Sequence, residues 1–477
     1  MGQEIVAQHF HQRDFQQFER RLRAETDLVG TWLAEGRFAQ QPPVVGLELE
    51  AWLVHPDGTP APVNEAFLAA ADRPTVVPEL ARFNIELNVS PQPIAGRGLD
   101  ALEAELRETW AHCIAVAASM DVAPVAIGIL PTLRDADLVP GNMSGMARYR
   151  ALNEQVLRQR RGRPTRLAID GRERLESEHL DVMLEAGTTS LQAHLQVTPD
   201  DATRYYNASV LASAPMVALA ANSPFLFGRD LWDETRVPLF EQAVGIGSFE
   251  AGYRGQVPRV NFGTGYAGWS LAQHFRENLD LFPPMLPLAL DDDPAALAHL
   301  RLHNGTIWRW NRSLIGFDDA RTPHLRIEHR VMAAGTTIAD MMANLAGFYG
   351  FAAALAADPS PPEAALPFDV AHANFYAAAR HGLDAPFTWV DGGTRRLADF
   401  ILDTMLPAAA IGLDRLGVDR AIADRHLTIL EARARTGRTG ADWQRRAAAA
   451  FGGDTHRLTL EYLARQRTDR PVHEWKI

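Results

Sequence analysis

The chain has 477 residues, of which 47% are hydrophobic and 22% charged, and its formal net charge is −12. This composition is typical of a globular protein with a large core, and the acidity argues against a nucleic-acid partner, which would require a basic surface. Cys113 is the only cysteine, which excludes intramolecular disulfides and thiolate zinc clusters and fits a cytoplasmic location.

Helices are predicted in several parts of the chain, where apolar residues recur at helical spacing or a good N-terminal cap marks a start. The predicted helices span residues 11–38, 99–120, 200–221 and 338–355, and further Ala- and Arg-rich helices are expected within 396–467. Residues 122–130 are predicted as a strand and residues 155–166 as a loop. No break is long enough for a domain linker, so we expect a single domain over residues 1–477.

The sequence gives no sign of a targeting or membrane segment. Its N-terminal 25 residues are polar and lack the apolar stretch of a signal peptide. The most apolar stretch, residues 113–130, is interrupted by Asp121 and Pro124, so it is interpreted as a buried helix followed by a strand. We therefore expect no membrane partner.

Four short segments alternate between apolar and polar residues, as β-strands with one buried face do. They are residues 45–54, 83–89, 191–197 and 325–331. Their polar faces carry Glu48 and Glu50; Asn84, Glu86 and Asn88; Gln192, His194 and Gln196; and Arg326, Glu328 and Arg330. Side chains two positions apart on a strand point the same way and lie about 7 Å apart, so each group shares one face.

Two interpretations of these polar faces compete. Antiparallel sheets commonly have one solvated face, but such a face favours Thr, Ser and Lys, and none of these occupies the polar positions here. Glutamate is depleted in strands, and clustered carboxylates repel each other unless a cation lies between them. Mg²⁺ prefers carboxylate oxygens and leaves room for phosphate. The pattern therefore predicts a concave sheet face that binds Mg²⁺, with Mn²⁺ as a possible substitute, and through it nucleotide phosphates.

The lysine content restricts how phosphate can be bound. Lys476 is the only lysine, so neither a P-loop nor a pyridoxal Schiff base is available. The sequence also contains no GxGxxG, HExxH or GxSxG motif. Arginines and metal ions must therefore bind any phosphate group.

Several ordered motifs accompany the strands. They are Gly46-Leu47-Glu48-Leu49-Glu50; Glu79 and Glu86; Thr189-Ser190-Leu191-Gln192-Ala193-His194-Leu195; Ala221-Asn222-Ser223-Pro224-Phe225, then Trp232 and Arg236; and Asn304 to Arg312 before Glu328-His329-Arg330. In their order and spacing they resemble the glutamate–cysteine ligase family, and more narrowly the bacterial type 2 carboxylate–amine ligases and the plant-type glutamate–cysteine ligases. The resemblance covers residues 44–350, the core motifs of the expected catalytic domain, and leaves the C-terminal helical region, 396–477, without a role.

This resemblance implies a fold and a reaction. The fold would be α+β, with a curved antiparallel sheet that forms a glutamine-synthetase-like funnel and helices packed on its outer side. The reaction would use ATP to phosphorylate the γ-carboxylate of glutamate, and an amine would then displace phosphate from the γ-glutamyl phosphate. Cysteine is the default amine, which would place the enzyme in glutathione biosynthesis.

The resemblance also implies residue roles. Mg²⁺ would be bound by Glu48, Glu50, Glu79, Glu86 and Glu328. Arg330 would stabilise the transferring phosphoryl group, with Glu328 and Glu50 beside it, while Arg236, Arg312, Asn222 and Gln192 would bind ATP or substrate. The central strand reads Gln192-x-His194-x-Gln196, nearest the plant-type pattern, so whether Gln192 or His194 meets the metal stays open.

Other functions remain compatible with the sequence. A ligase of the same fold that uses another carboxylate or amine fits equally well, because no acceptor pocket is identifiable. A non-catalytic nucleotide-binding or regulatory protein is disfavoured by the intact glutamates and Arg330, and a phosphotransferase of related fold is a third alternative. The oligomeric state is not readable from the sequence.

Overall fold

The computed structural model describes residues 10–41, 43–245, 257–290 and 293–477. The first nine residues, part of the segment that lacks signal-peptide character, lie outside the described residues. The α-helices are α1 (Gln12–Ala34), α2 (Asn64–Ala71), α3 (Gly98–Ser119), α4 (Ala147–Gln159), α5 (Pro199–Leu219), α6 (Arg236–Ala243), α7 (Ala272–Leu281), α8 (Ala298–Asn304), α9 (Ile338–Ala356), α10 (Pro362–Ala365), α11 (Phe368–His381), α12 (Leu397–Phe400), α13 (Leu406–Arg415), α14 (Arg420–Thr436), α15 (Gly440–Ala450) and α16 (Thr455–Gln466).

The strands fall into one main sheet and several two-stranded pairs. They are β1 (Val44–Val54), β2 (Val76–Pro78), β3 (Asn84–Asn88), β4 (Gln92–Pro93), β5 (Ala123–Val125), β6 (Thr165–Asp170), β7 (Arg174–His179), β8 (Ser190–Val197), β9 (Phe225–Leu226), β10 (Arg229–Asp230), β11 (Val260–Asn261), β12 (Trp308–Arg309), β13 (Asn311–Phe317), β14 (Pro323–Ala333), β15 (Pro386–Thr388) and β16 (Thr394–Arg396). The main sheet has the order β13-β14-β8-β1-β3-β2, with β4 and β5 also paired to β1.

Every pairing in the main sheet is antiparallel. The four strands predicted from alternation are β1, β3, β8 and β14, and they are neighbours in the sheet. The prediction of an α+β fold, with a curved antiparallel sheet and helices on its outer side, is confirmed.

The apolar face of the sheet packs against α5 and α9, and α3 packs against α9. Leu47, Leu49, Leu191 and Leu195 on this face are all buried. Within the described residues, α9 is long and apolar enough to cross a membrane, but 89% of its apolar window is buried inside the protein. Helix α9 is therefore buried as a core helix. Because it packs on the apolar side of the sheet, the polar face is free to line a site.

Helix α9 also fixes the backbone beneath the site. The hydroxyl of Tyr349 donates to the carbonyl of Gly46 at 2.9 Å and lies 3.3 Å from the carbonyl of His194. These two residues are directly opposite each other on β1 and β8. The contact therefore ties the two central strands together at one point of their register.

The predicted helices are confirmed, but two sequence predictions between them are wrong. Of the strand predicted over 122–130, only the three residues of β5 form a strand. They pair with the last three residues of β1, and the chain then leaves the sheet. The loop predicted over 155–166 contains the end of α4 and the start of β6. Helix α4 buries Tyr149, Ala151 and Val156 on one face, and β6 pairs with β7 as a hairpin.

The C-terminal helices are attached to the core by a buried ion pair. Arg433 of α14 donates to Asp340 at the start of α9 at 2.6 Å and to Asn344 at 2.6 Å, and both members of the ion pair are about 2% exposed or less. Asp340 also accepts from the backbone of Val472 at 2.9 Å. Removing one partner would leave the other charge buried without compensation.

We therefore expect Arg433→Ala to lower the free energy of unfolding by about 3–5 kcal/mol, because an unpaired carboxylate would remain in the core. Urea and thermal unfolding at constant pH measure the change. Arg435→Ala is the matched control: it breaks an exposed pair with Glu431 on the same helix, and such pairs contribute about 1 kcal/mol or less. Similar losses in the two variants would show that the buried pair has no special role.

Candidate active site

A cavity of about 770 Å³ lies against the polar face of the main sheet. The charged residues of its lining, here called the charged wall, are Glu48, Glu50, Glu79, Glu86, Glu185, Glu328, Arg148, Arg301, Arg312, Arg326 and Arg330. The rest of the lining is largely apolar and includes Leu286, Leu288, Leu290, Leu300, Leu302 and Trp308. The cavity can therefore hold a molecule that combines anionic groups with an apolar or aromatic part.

The register of the strands brings most of the predicted site residues onto this charged wall. The residues that lie opposite one another are Arg312 and Glu328, Glu328 and His194, Glu48 and Gln192, and Glu50 and Glu86. Glu79 follows β2 and also lines the cavity. The polar side chains of the four alternating segments thus form one continuous face of the sheet.

Glu48, His194 and Glu328 form a group with the spacing of a metal site. One ligand atom from each residue lies within 4.8 Å of the others. His194 is buried, its Nε2 lies 3.2 Å from Oε1 of Glu48, and neither ring nitrogen makes a hydrogen bond within the described part of the chain. A buried imidazole without a hydrogen-bond partner is costly. The donor set fits a divalent cation such as Mg²⁺ or Mn²⁺.

A second group of carboxylates lies beside the first. Glu50 accepts from the backbone N–H of Ser190 at 2.6 Å and from the side chain of Gln192 at 2.9 Å. Burial and the nearby charge of Glu79 raise the pKa of Glu50 to about 7. Burial and the surrounding glutamates raise the pKa of Glu86 well above its ordinary value. The raised pKa values show that ionisation of these carboxyls is unfavourable without added positive charge, so they fit a second cation position.

These contacts distinguish Gln192 from His194. The Gln192 amide is used to orient Glu50, whereas the His194 ring lies between Glu48 and Glu328. The arrangement favours His194 as the metal ligand and Gln192 as a residue that positions a neighbouring carboxylate.

Arginines compensate one edge of the carboxylate group. Glu328 accepts from Arg312 at 2.7 Å and from Arg330 at 3.4 Å. Burial alone would raise the pKa of Glu328, but the charges of these two arginines outweigh it and the pKa is lowered. Glu328 is thus ionised and ready to bind a cation. Arg330 also lies over the ring of Phe240, 5.3 Å from its centroid.

Arg236 does not line the cavity, contrary to the expectation that it contacts phosphate or substrate. It is buried behind the wall, where it pairs with Glu234 at 3.2 Å and donates to the backbone carbonyls of Arg330 and Val331. These carbonyls lie in an irregularity of β14 between residues 329 and 332, where the ladder is interrupted. Arg236 therefore supports the backbone that presents Arg330.

Asn222 is also placed in the core and not on the cavity wall. Its side chain donates to the carbonyl of Ala334 at 2.7 Å and to the hydroxyl of Tyr462 at 2.8 Å, and it accepts from Gln444 at 2.9 Å. The amide joins the end of β14 to the C-terminal helices. Asn222 is therefore not part of the lining of the cavity, and its contact with ATP or substrate stays a prediction.

Sequence reasoning missed part of the charged wall. Glu185, on a short turn of residues 183–187, lines the cavity, and burial together with the charges of Glu79 and Glu50 raises its pKa to about 8. Arg148 and Tyr149, from α4, line the same end. Neither segment alternates like a strand. The amphipathic pattern of α4 was the available signal, but it gives no indication that the helix faces the glutamates.

Comparisons with known proteins agree with this architecture. The family model described as glutamate–cysteine ligase family 2 matches residues 44–461. Among solved structures, the glutamate–cysteine ligase of Francisella tularensis in complex with AMP aligns with a TM-score of 0.50 at 11% identity, covering 92% of this chain and 96% of that one.

A bifunctional glutathione synthetase from Pasteurella multocida aligns with a TM-score of 0.50 at 12% identity, covering 93% of this chain and 55% of that one. At these identities the two structures support the fold alone. No sequence among the curated proteins matches the chain.

The raised pKa values generate a prediction about pH. A carboxyl whose pKa is raised by folding stabilises the folded state below its unfolded pKa, and that stability is lost as the pH rises through the folded pKa. Without divalent cations, stability should therefore fall between about pH 5 and pH 8, by roughly 1–3 kcal/mol for Glu50. Mg²⁺ should reduce the loss, because the cation favours the ionised carboxylates.

Thermal unfolding across this pH range, with EDTA or with Mg²⁺, measures the effect. Glu50→Gln should flatten the EDTA profile and lose part of the Mg²⁺-dependent stabilisation, because an amide neither titrates nor binds the cation as well. Glu431→Gln, on an exposed helix surface, is the control. A wild-type profile that rises with pH in EDTA would contradict the assignment.

Proposed function

We propose a specific reaction for this chain, which belongs to glutamate–cysteine ligase family 2 and is an ATP-dependent carboxylate–amine ligase. It joins the γ-carboxylate of glutamate to an amine, with cysteine as the default acceptor, through a γ-glutamyl phosphate. The observation that carries the proposal is the Glu48, His194 and Glu328 group beside Arg312 and Arg330, on the wall of a cavity large enough for a nucleotide. We place the enzyme in the cytoplasm, with residues 1–477 as one catalytic domain.

The proposed chemistry has two steps. An oxygen of the γ-carboxylate attacks the γ-phosphorus of ATP, and the bond to the ADP oxygen breaks. The amine nitrogen then attacks the carbonyl carbon, the acyl–phosphate bond breaks and the nitrogen loses a proton. The acyl phosphate is needed because a free carboxylate is unreactive towards amines, and activation divides one difficult step into two easier ones.

The residues of the cavity are assigned roles in this scheme. Glu48, His194 and Glu328 would hold one divalent cation, and Glu50, Glu79 and Glu86 would hold others. Bound Mg²⁺ or Mn²⁺ supplies charge neutralisation on the phosphate oxygens. Arg330 directs its guanidinium to the transferring phosphoryl group, and Arg312 keeps Glu328 ionised.

Three further residues position this machinery. Gln192 orients Glu50, Arg236 fixes the backbone that carries Arg330, and Tyr349 joins the two central strands. Positioning of this kind is a large part of catalysis in phosphoryl transfer, where the protein contributes little covalent chemistry.

The central experiment intercepts the proposed intermediate. Hydroxylamine is a small nucleophile that needs no acceptor pocket, so glutamate, ATP, Mg²⁺ and hydroxylamine should yield γ-glutamyl hydroxamate with ADP and phosphate. The hydroxamate is measured by its ferric complex and ADP by chromatography. AMP and pyrophosphate would instead indicate an adenylate and overturn the mechanism.

Other outcomes separate the alternatives. Hydroxamate formation only with another carboxylic acid would retain the ligase class and reject glutamate. Absence of hydroxamate with every carboxylate tested, in a protein that binds ATP, would favour a non-catalytic nucleotide-binding protein. A panel of amines in place of hydroxylamine, with cysteine first, identifies the acceptor.

Arg330→Ala should leave a folded protein whose kcat is lower by about a thousandfold or more, since a positioned arginine on a transferring phosphoryl group contributes roughly 10³–10⁵ in rate. Arg330→Lys should recover little, because an ammonium group lacks the planar fork of guanidinium. Initial rates and circular dichroism test both points. Arg420→Ala, which alters an exposed residue at the start of α14, is the control, and near-normal kcat in either Arg330 variant would assign that residue to structure.

A further inference from the structure

Arg326 occupies a separate position on the charged wall. It precedes Glu328 by two residues on β14, and it lies opposite Gln196 of β8 and Leu314 of β13. Because side chains two apart lie about 7 Å apart on one face, Arg326 is one row beyond the metal group. Arg330 lies on the other side of Glu328 along the same strand, so the two arginines flank the carboxylates.

In the described part of the chain, the guanidinium of Arg326 is less fully paired than those of Arg312 and Arg330. Within the described residues it makes no hydrogen bond or ion pair, and its Nε is buried without an acceptor, although the residue lines the cavity. Burial lowers its pKa, against the attraction of Glu48 and Glu328. Arg326 as a whole is half-buried, but a buried N–H donor that no acceptor satisfies is costly, so an acceptor from a ligand is expected.

Charge compensation of the glutamates does not account for Arg326. Glu328 already has Arg312 at 2.7 Å and Arg330 at 3.4 Å. A divalent cation among these carboxylates would add positive charge beside Arg326. The excess positive charge would then favour an anion at this end of the cavity.

A second arginine lies on the same side of the cavity. Arg301 of α8 lines the rim, and its side chain makes no ion pair or hydrogen bond within the described ranges; it lies over the ring of Phe317, 5.7 Å from the centroid. The lining near the two arginines includes Leu300, Leu314 and Ile315. The surroundings combine two unpaired cations with an apolar surface.

We propose that Arg326, with Arg301 at the rim, forms an anion subsite for a carboxylate or phosphate group of a substrate, on the side of the metal group away from Arg330. This inference rests on the proposed ligase function for the identity of the substrates. The anion is either the α-carboxylate of an amino-acid substrate, donor or acceptor, or a phosphate of the nucleotide. In each case Arg326 determines which substrates bind and does not take part in phosphoryl transfer.

The first test measures KM for each substrate in Arg326→Ala, Arg326→Lys and Arg301→Ala. Loss of one charge-assisted contact should raise KM for a single substrate about 10-fold to 100-fold, with kcat within about threefold. Arg326→Lys should recover part of the loss, and Arg301→Ala should affect the same substrate more weakly. Arg420→Ala, remote from the cavity, is the matched control.

Substrate analogues identify the group that is bound. If the anion is the acceptor carboxylate, Arg326→Ala should weaken cysteine but not cysteamine, which lacks that carboxylate. If it is the α-carboxylate of the donor, the variant should weaken glutamate but not 4-aminobutyrate. If it is a phosphate, the variant should weaken ADP and leave both amino acids unchanged.

Binding without turnover separates this inference from the proposed function. Calorimetric titration of ADP, glutamate and cysteine in the presence of Mg²⁺ requires no reaction, so a selective loss in Arg326→Ala supports the subsite even if no hydroxamate forms. Equal losses for all three ligands with a fall in kcat would show that Arg326 acts through the metal group, and would overturn the proposal. Affinities within twofold of wild type for every ligand, or a wild-type protein that binds none of them, would also overturn it.

Discussion

Mutual repulsion among buried glutamates is the constraint on which the site depends. Glu48, Glu50, Glu86 and Glu328 extend from adjacent antiparallel strands onto one face. Inside a protein such charges interact far more strongly than in water, and the structure responds in two ways. Arg312 and Arg330 lower the pKa of Glu328, while burial and neighbouring charge raise the pKa values of Glu50 and Glu86. A divalent cation bound among these carboxylates would reduce their mutual repulsion and would favour the ionised form of Glu50 and Glu86.

The remainder of the fold holds this unfavourable arrangement in place. The apolar face of the sheet is buried against α5 and α9, and that burial stabilises the strands whose other face is charged. Behind the wall, Arg236 satisfies the carbonyls left by the irregularity of β14, and Tyr349 ties β1 to β8. Polar groups in the core thus serve to fix strand positions, and the site gains rigidity from contacts that never reach a substrate.

The distribution of charge within the cavity is as informative as the residues themselves. Carboxylates and arginines alternate on β14, where Arg326 and Arg330 lie two residues on either side of Glu328, and Arg148 joins the charged lining from α4. Leucines and Trp308 complete the lining. Such a combination suits ligands whose negative charge is distributed over several groups, some bound through metal ions and some directly by guanidinium, and which also carry an apolar or aromatic portion.

The alternation of the strands determined by itself which residues share the charged face, because the side-chain period of a strand is set locally by the backbone. The sequence alone therefore predicts a shared face for Glu48, Glu50, Glu86, Glu328 and Arg330. The order of the motifs also indicated the family. The sequence did not determine contributions from elements without that period. Glu185 and Arg148 lie on a turn and a helix, and only the packing of those elements onto the sheet brings them to the cavity.

Packing between elements also decided the roles of several predicted residues. Asn222 lies between α5 and α6, and Arg236 is the first residue of α6. Only the tertiary structure shows that both side chains lie behind the charged wall, where they donate to buried backbone carbonyls. The different surroundings of His194, which lies between Glu48 and Glu328, and of Gln192, which donates to Glu50, likewise depend on strand register. A local pattern fixes which way a side chain points from its own strand, but register and the packing of neighbouring elements fix what it meets there.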